Sequence, residues 1–188
     1  HYKKDNIFMP SGFFNENKNK IFKKNFFVKK HKPLTQVDWV TGCSMLINLK
    51  KFKSKDIFDE NYFLYFEEID LCKSVIQSNG KIFSSNMLKV HHLGFQGSLA
   101  ANKKFFSEAN NLRDWHWMWS SFYFYKKNYS YFYALFKTSS KLIKSFCKIL
   151  FFTASFNKQK RDKYFYRFLG LINSMVGKRS LYRGTNFN

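Results

Sequence analysis

A chain of 188 residues can bury one hydrophobic core of ordinary size and is short for two. Its 33 Lys and Arg against 12 Asp and Glu leave a formal charge of +21, which calls for an anionic neighbour: nucleic acid, an acidic membrane surface or a phosphorylated substrate. The three cysteines, Cys43, Cys72 and Cys147, are odd in number and far apart, which excludes a disulfide framework and a zinc ligand pattern and fits a reducing compartment. The 25 Phe, 11 Tyr and 4 Trp, with many Lys and Asn, are also what an AT-rich coding sequence would produce, and such codon bias inflates Lys without any binding role, which weakens the argument from charge. No run of about 18 apolar residues marks a spanning helix. The opening at His1 leads us to expect a fragment of a longer protein.

Residues 1–36 are polar and basic, with Lys pairs at 23–24 and 29–30, and Pro10-Ser11-Gly12 and Pro33 punctuate them as a loop-rich segment. Their Lys and Phe suit either a nucleic-acid contact or a solvated loop. The texture changes at Val37. Residues 37–47, Val-Asp-Trp-Val-Thr-Gly-Cys-Ser-Met-Leu-Ile, predict a strand, a turn at Gly42 and a second apolar strand or helix start. Gly42 would let the backbone approach a ligand closely, or is simply a turn glycine. Residues 50–55 form a charged connection.

Residues 58–80 are the centre of the chain. An aromatic run delivers Glu67, Glu68 and Asp70 into the first turn of an amphipathic helix that starts near Phe66 and closes at Asn79-Gly80. At ~100° per residue, Ile69, Cys72, Val75 and Ile76 share one face. Glu67 and Asp70 point to the polar side, and Glu68 sits at the edge of the buried face, where it can look into a cleft. A helix N-terminus favours negative charge, so these acids are expected to be ionised near neutral pH and able to accept a proton. Acids in a first turn are equally ordinary capping chemistry.

Residues 81–92 predict an extended run with Leu88, Val90 and His92 on one face and Met87, Lys89 and His91 on the other, so one histidine of the pair can face a site. A lone histidine is more often structural than a ligand. Residues 107–125, with Glu108, Arg113 and the run Trp115-His-Trp-Met-Trp-Ser-Ser-Phe-Tyr-Phe-Tyr, are apolar nearly all round at helical spacing, hence deeply buried or against lipid. Residues 126–169 set Lys126, Lys127, Lys137, Lys141, Lys144 and Lys148 among Phe, Tyr, Leu and Ile. They fit helices in a membrane interface with lysines at headgroup level, or a helical hairpin packed on the protein with snorkelling lysines. No internal repeat or Gly-rich phosphate loop occurs.

Taken together, residues 37–47, residues 58–72 and Val90-His-His-Leu-Gly, in this order and spacing, resemble the second half of a family-two inverting glycosyltransferase. The look is that of the rhamnosyltransferase-like branch, which builds bacterial surface polysaccharide on lipid carriers. The resemblance extends into Arg113-Asp-Trp-His-Trp-Met-Trp-Ser and into residues 170–183. It implies an α/β fold: an incomplete GT-A (nucleotide-diphospho-sugar transferase) domain lacking its N-terminal nucleotide-binding half, followed by a mostly helical C-terminal region. The expected divisions are 1–36, 37–106 and 107–188.

The resemblance also implies roles. Glu68, at a position where the family usually has Asp, is the general base, with Glu67 and Asp70 as alternates. Gly42, with Trp39 and Cys43, shapes the acceptor site, and Arg113 clamps the leaving diphosphate or the acceptor's phosphates. His92, with His91 second, joins a divalent metal, Mg or Mn, whose other ligands belong to the missing half. Such a base and such positive charge are what inverting transfer requires. The implied partners are a nucleotide-sugar donor, a glycan or lipid-linked acceptor and an anionic membrane surface, with a peripheral position at the cytoplasmic face of the plasma membrane. No Asp-x-Asp occurs, and one imidazole cannot hold a hard cation and its diphosphate, so these 188 residues alone are expected to bind no sugar nucleotide. Readings from other classes are a non-catalytic basic module for membrane or nucleic acid, and a decayed transferase. Against nucleic acid, the aromatics cluster in apolar runs, not as spaced stacking platforms, and no nucleic-acid motif is present.

Overall fold

The computed structural model describes residues 11–14, 22–24, 33–54, 56–85, 87, 88, 90 and 103–183. The chain divides into two compact units, His1–Asp59 with Glu67–Gly94, and Glu60–Phe66 with Phe95–Asn188. The second unit thus takes the seven-residue aromatic stretch before the central helix, which the expected boundary at 106/107 left with the first.

The first unit is built from short antiparallel strands and one helix. Strand β1 (Ser11–Phe14) lies between β2 (Phe22–Lys24) and β4 (Trp39–Val40), and β3 (Leu34–Val37) pairs with β5 (Ile82–Ser85). The expected loop-rich segment 1–36 therefore supplies β1, β2 and most of β3; β1 and β2 pair with each other, and β1 and β3 also pair with strands further along the chain. Val37 and Trp39 are buried on either side of the half-exposed Asp38, the period-two alternation of a strand. Strand β5 is shorter than the expected run to residue 92: Leu34 pairs with Ser85, and the preceding Pro33 has no N–H to extend the ladder. Met87, Leu88 and Val90 are exposed and outside the strand. Neither the second strand nor the α-helix start expected after Gly42 forms there. Residues 45–48 are irregular and lead into a 3-10 turn (Leu49–Lys51) capped by the Asn48 side chain, which accepts from the Lys50 N–H at 3.2 Å.

Helix α1 (Glu67–Gln77) starts within one residue of the expected position. Its end is fixed by local chemistry: the Gly80 N–H reaches Val75 O (2.8 Å), the Asn79 N–H reaches Ile76 O (3.0 Å), and Asn79 takes a left-handed φ of 56°. A Cβ at Gly80 would stand 2.6 Å from Val75 Cγ1, so only glycine fits. The buried face differs from the one expected. Ile69 to Lys73 are all buried, Asp70 to 3% exposure, while Val75 and Ile76 are only half-buried. Asp70 and Lys73 are both engaged with partners, and neighbours three apart on a helix are within reach of each other.

The second unit is a helical assembly of α2 (Lys103–Asn128), α3 (Tyr131–Ala154) and α4 (Lys158–Met175), each packed on the other two. Of the two readings of residues 107–125, burial is the one found. Trp115, His116, Met118, Trp119, Phe122, Phe124 and Tyr125 are all inside. Two observations explain how the polar members of this run tolerate burial. Ser120 Oγ donates to Leu64 O (2.9 Å), and the fully buried His116 is held at both nitrogens, by Ser180 Oγ at 2.9 Å and Tyr182 O at 2.7 Å. Gly170 lets α4 touch α2 backbone to backbone, since a Cβ there would collide with the Trp115 carbonyl. Arg167 Nε donates to Asp114 Oδ1 (2.7 Å), Ser174 Oγ to Trp119 O (3.0 Å) and Trp119 Nε1 to Lys178 O (2.9 Å), which pins α4 and the following tail along α2.

Candidate active site

The site belongs to the first unit and is made by two local features, the turn after β4 and the first turn of α1. Gly42, Cys43, Ser44, Met45, Ile47, Phe58, Glu67 and Glu68 line a cavity of about 500 Å3. Gly42 sits directly on Glu68. A Cβ at this glycine would lie 3.5–3.8 Å from the Glu68 side-chain carbons, in ordinary contact, so the packing is close but leaves room. The Gly42 backbone also hydrogen-bonds the Glu68 carboxylate and steadies it.

The electrostatics of the two glutamates depart from expectation. First-turn acids should gain from the helix dipole and hold an ordinary or low pKa. Burial overrides that here. Desolvation raises the Glu67 carboxyl, and desolvation first, then the neighbouring Glu67 charge, raises Glu68, against the opposing pull of backbone N–H groups. Glu67 Oε2 and Glu68 Oε2 are each buried without a hydrogen-bond partner among the described residues. A capping acid spends its oxygens on helix N–H groups; these two keep one each in reserve. Tyr65 and Phe66, immediately before α1, both have left-handed φ (68° and 72°), a strain of the kind that collects at functional sites. The chain enters the helix through them, so the direction in which the glutamates leave the backbone is fixed by an unfavourable conformation.

Of the residues singled out from the sequence, Gly42, Cys43, Glu67 and Glu68 meet at this cavity. Trp39 does not line it; it is buried in the core of the first unit, as its place in β4 requires. Asp70 is likewise buried and off the cavity wall, three residues along α1 from Glu67. Arg113 is half-buried on α2, in the other unit, and engaged with a partner. His91 and His92 lie outside the described residues. Among the described residues no three His, Cys, Asp or Glu side chains group as metal ligands, and the two glutamates alone do not make the near-octahedral oxygen shell that Mg or Mn takes. No step is therefore assigned to a metal. Sequence reading missed Ser44, Met45, Ile47 and Phe58 as wall residues. The signal for the first three was the failure of residues 44–47 to alternate cleanly as a strand.

Cys72, on the same helix, is no nucleophile. Burial pushes its thiol up to about 11, so it stays protonated near neutral pH. What remains at the cavity is one arrangement with chemical capacity: a carboxylate oxygen, desolvated and unpaired, able to take a proton from a hydroxyl brought to it.

Comparison with known proteins adds one finding. Over 102 residues, 54% of this chain, the sequence is 30% identical to the rhamnosyltransferase WbbL of Escherichia coli (strain K12), and the match spans 35% of that protein's length. No protein-family model matches the chain, and no solved structure does. The chain is thus glycosyltransferase-like over about half its length, and it spans about a third of the relative that it resembles.

Proposed function

We propose that this chain is the acceptor-side part of an inverting, GT-A-type glycosyltransferase, with Glu68 as the general base. An acceptor hydroxyl of a glycan or lipid-linked sugar enters the cavity and gives its proton to Glu68. Its oxygen forms a bond to the donor's anomeric carbon, and the bond from that carbon to the nucleoside diphosphate breaks. The diphosphate leaves with the electron pair. The observation that carries this reading is the Glu68 carboxylate itself, which has one buried, unpartnered oxygen at a cavity and a raised pKa. A base of raised pKa removes a proton more readily than an ordinary carboxylate. The class of reaction is supported by the similarity to a rhamnosyltransferase; the nature of the sugar in this chain is not. On the resemblance alone, His92, with His91 as alternate, is proposed to help hold the donor diphosphate and its divalent metal.

The test is turnover of the complete gene product with a nucleotide-sugar donor, comparing Glu68→Gln with the unmodified protein. The expected loss in kcat is about 10²–10⁴-fold with little change in KM for the donor. Glu68→Gln should also melt higher, because it deletes a charge that the fold keeps poorly solvated. That combination separates a catalytic carboxylate from a structural one, whose removal would lower both. Unchanged turnover in Glu68→Gln would remove this residue from the mechanism.

A further inference from the structure

Helix α3 is built inside out. Its buried contacts are made by small side chains, Ala134, Thr138 and Ser145, which share one side of the helix. On the opposite side Phe132, Phe136, Ile143, Phe146 and Leu150 fall within an arc of about 80° at 100° per residue, and every one of them is exposed, Phe132 to 80% and Phe136 to 68%. In water this is the wrong way round, since the helix spends its small residues on packing and offers its large apolar ones to solvent.

Two further placements are unfavourable in the same direction. Phe156, just past the end of α3, occupies the left-handed position (φ 53°) of a helix-closing motif, with the Asn157 N–H on Phe152 O (3.0 Å) and its own N–H on Thr153 O (3.2 Å). Glycine is usual there, and Phe156 is also 95% exposed. Helix α4 then opens with Lys158, Lys160, Arg161 and Lys163, cations at the positive end of the helix dipole, offset only by Asp162, which Arg161 holds at 2.8 Å. A sequence that breaks three local rules within one surface is expected to be compensated by something that surface meets.

The charge says what it meets. Lys137, Lys144 and Lys148 form one row between the apolar stripe and the buried strip, about 80–120° round from the stripe's edge and beyond Tyr133 and Phe151, and α3 contains no Asp or Glu. Lys148 Nζ stands 5.4 Å from the rings of both Phe151 and Phe152, and Lys137 Nζ stands 5.2 Å from the Tyr133 ring, so the lysine stems lie along the aromatic surface with their heads at its margin. Lys141, whose pKa burial and the Arg167 charge lower, turns toward α4 and takes no part. A second copy of the chain is a poor occupant, because a twofold contact through this face would bring two lysine rows together with no acid on α3 to pair them. No described helix is long and apolar enough to cross a membrane.

We propose that the outer face of α3 and the turn at Phe156 dock in the plane of an anionic phospholipid bilayer. The aromatic stripe enters the headgroup–acyl boundary and the lysines of α3 and early α4 sit among the phosphates. This surface lies in the second unit and stands whether or not Glu68 is a base. It goes beyond the transferase reading and is tested separately from it.

The test is co-sedimentation of the chain with vesicles of phosphatidylcholine alone and with 30 mol% phosphatidylglycerol, in low and high salt. Binding is expected to the anionic vesicles, weakened by salt. Lys144→Gln with Lys148→Gln should weaken it by roughly fivefold per lysine, and Phe156→Gly by about tenfold. The decisive feature is that Phe156→Gly should melt higher than the unmodified chain, since it relieves a left-handed backbone, while binding vesicles less. A residue with only a structural role cannot do both. Phe136→Ser, which need not alter folding, serves as the second probe. Failure of the unmodified chain to sediment with anionic vesicles would overturn the proposal, as would wild-type binding by both Phe156→Gly and Phe136→Ser. A dimer in ultracentrifugation that Phe136→Ser dissolves, with no vesicle binding, would assign the face to a second copy and overturn it too.

Discussion

Helices α2 and α3 are nearly equal in length, 26 and 24 residues, and both are crowded with aromatic rings, yet one turns its rings inward and the other outward. The difference is coverage. Around α2 lie α4 on a glycine contact, the tail after α4, and the stretch Glu60–Phe66, whose Phe66 ring stands 5.3 Å from Trp117 and 5.5 Å from Phe124. Helix α3 fully buries only a narrow strip of small residues, and its ring contacts to α2 and α4, such as Tyr131 on Phe122 and Phe152 on Tyr164, are made by side chains at the margins of that strip. Aromatic content therefore says nothing about depth; the partners on the far side of the helix decide it.

The largest effect that would break this comparison is on stability. Phe124→Ala empties a fully buried site between Phe66 and Tyr125 and should cost about 3–5 kcal/mol, whereas Phe136→Ala on α3 should stay within roughly 0.5 kcal/mol. Urea denaturation of the two variants measures the contrast directly. Comparable losses would mean that the face of α3 is covered after all.

A second effect sharpens the account of α2's interior. His116 is buried as the neutral ring, with Nε2–H donating to Tyr182 O and Nδ1 accepting from Ser180 Oγ. Burial and the nearby Arg183 charge push its pKa down from 6.5 to about 4, against the pull of the Tyr182 carbonyl. Unfolding frees the ring to protonate near pH 6.5. Its contribution to stability is therefore whole above that pH and is lost as the pH falls toward 4, by up to about 3 kcal/mol. His116→Asn should fold less stably at pH 7 and show a flatter decline through this window. An unchanged slope would locate the acid sensitivity elsewhere.

How much of this could be read from the sequence follows the range of the interactions involved. The start and end of α1 were legible because helix closure is written within a few residues, at Phe66 and at Asn79-Gly80. The all-round apolarity of residues 107–125 likewise foretold burial or lipid. The strands at 11–14 and 22–24 were not legible, since their only justification is pairing with each other and with Trp39 and Val40. At the site, Gly42 and Glu68 were each recognised locally and do meet, but the burial of Asp70 and the withdrawal of Trp39 into the core depend on what packs over them. The segments around Arg113 and after Gly170, picked out separately by resemblance, prove to be one structural feature: Gly170 is seated on Trp115, and His116 clasps Ser180 and Tyr182.

The smallest effect isolates backbone from side chain. Helices α3 and α4 end in the same motif: Phe156 and Gly177 are equivalent residues, with φ of 53° and 75°, and the Lys178 N–H on Asn173 O (2.9 Å) repeats the Asn157–Phe152 bond. A Cβ at Gly177 would have nothing within 4 Å, so Gly177→Ala measures the cost of the left-handed conformation alone, about 1–2 kcal/mol of lost stability. Phe156→Gly runs the same change in reverse and should gain about as much. If the two values match in size and oppose in sign, the phenylalanine contributes nothing in water to repay its strain, and its reason for being there must lie on the surface that it faces. A loss of stability in Phe156→Gly would show instead that the ring is packed where it stands, and α3 would then resemble α2 more closely than its exposure implies.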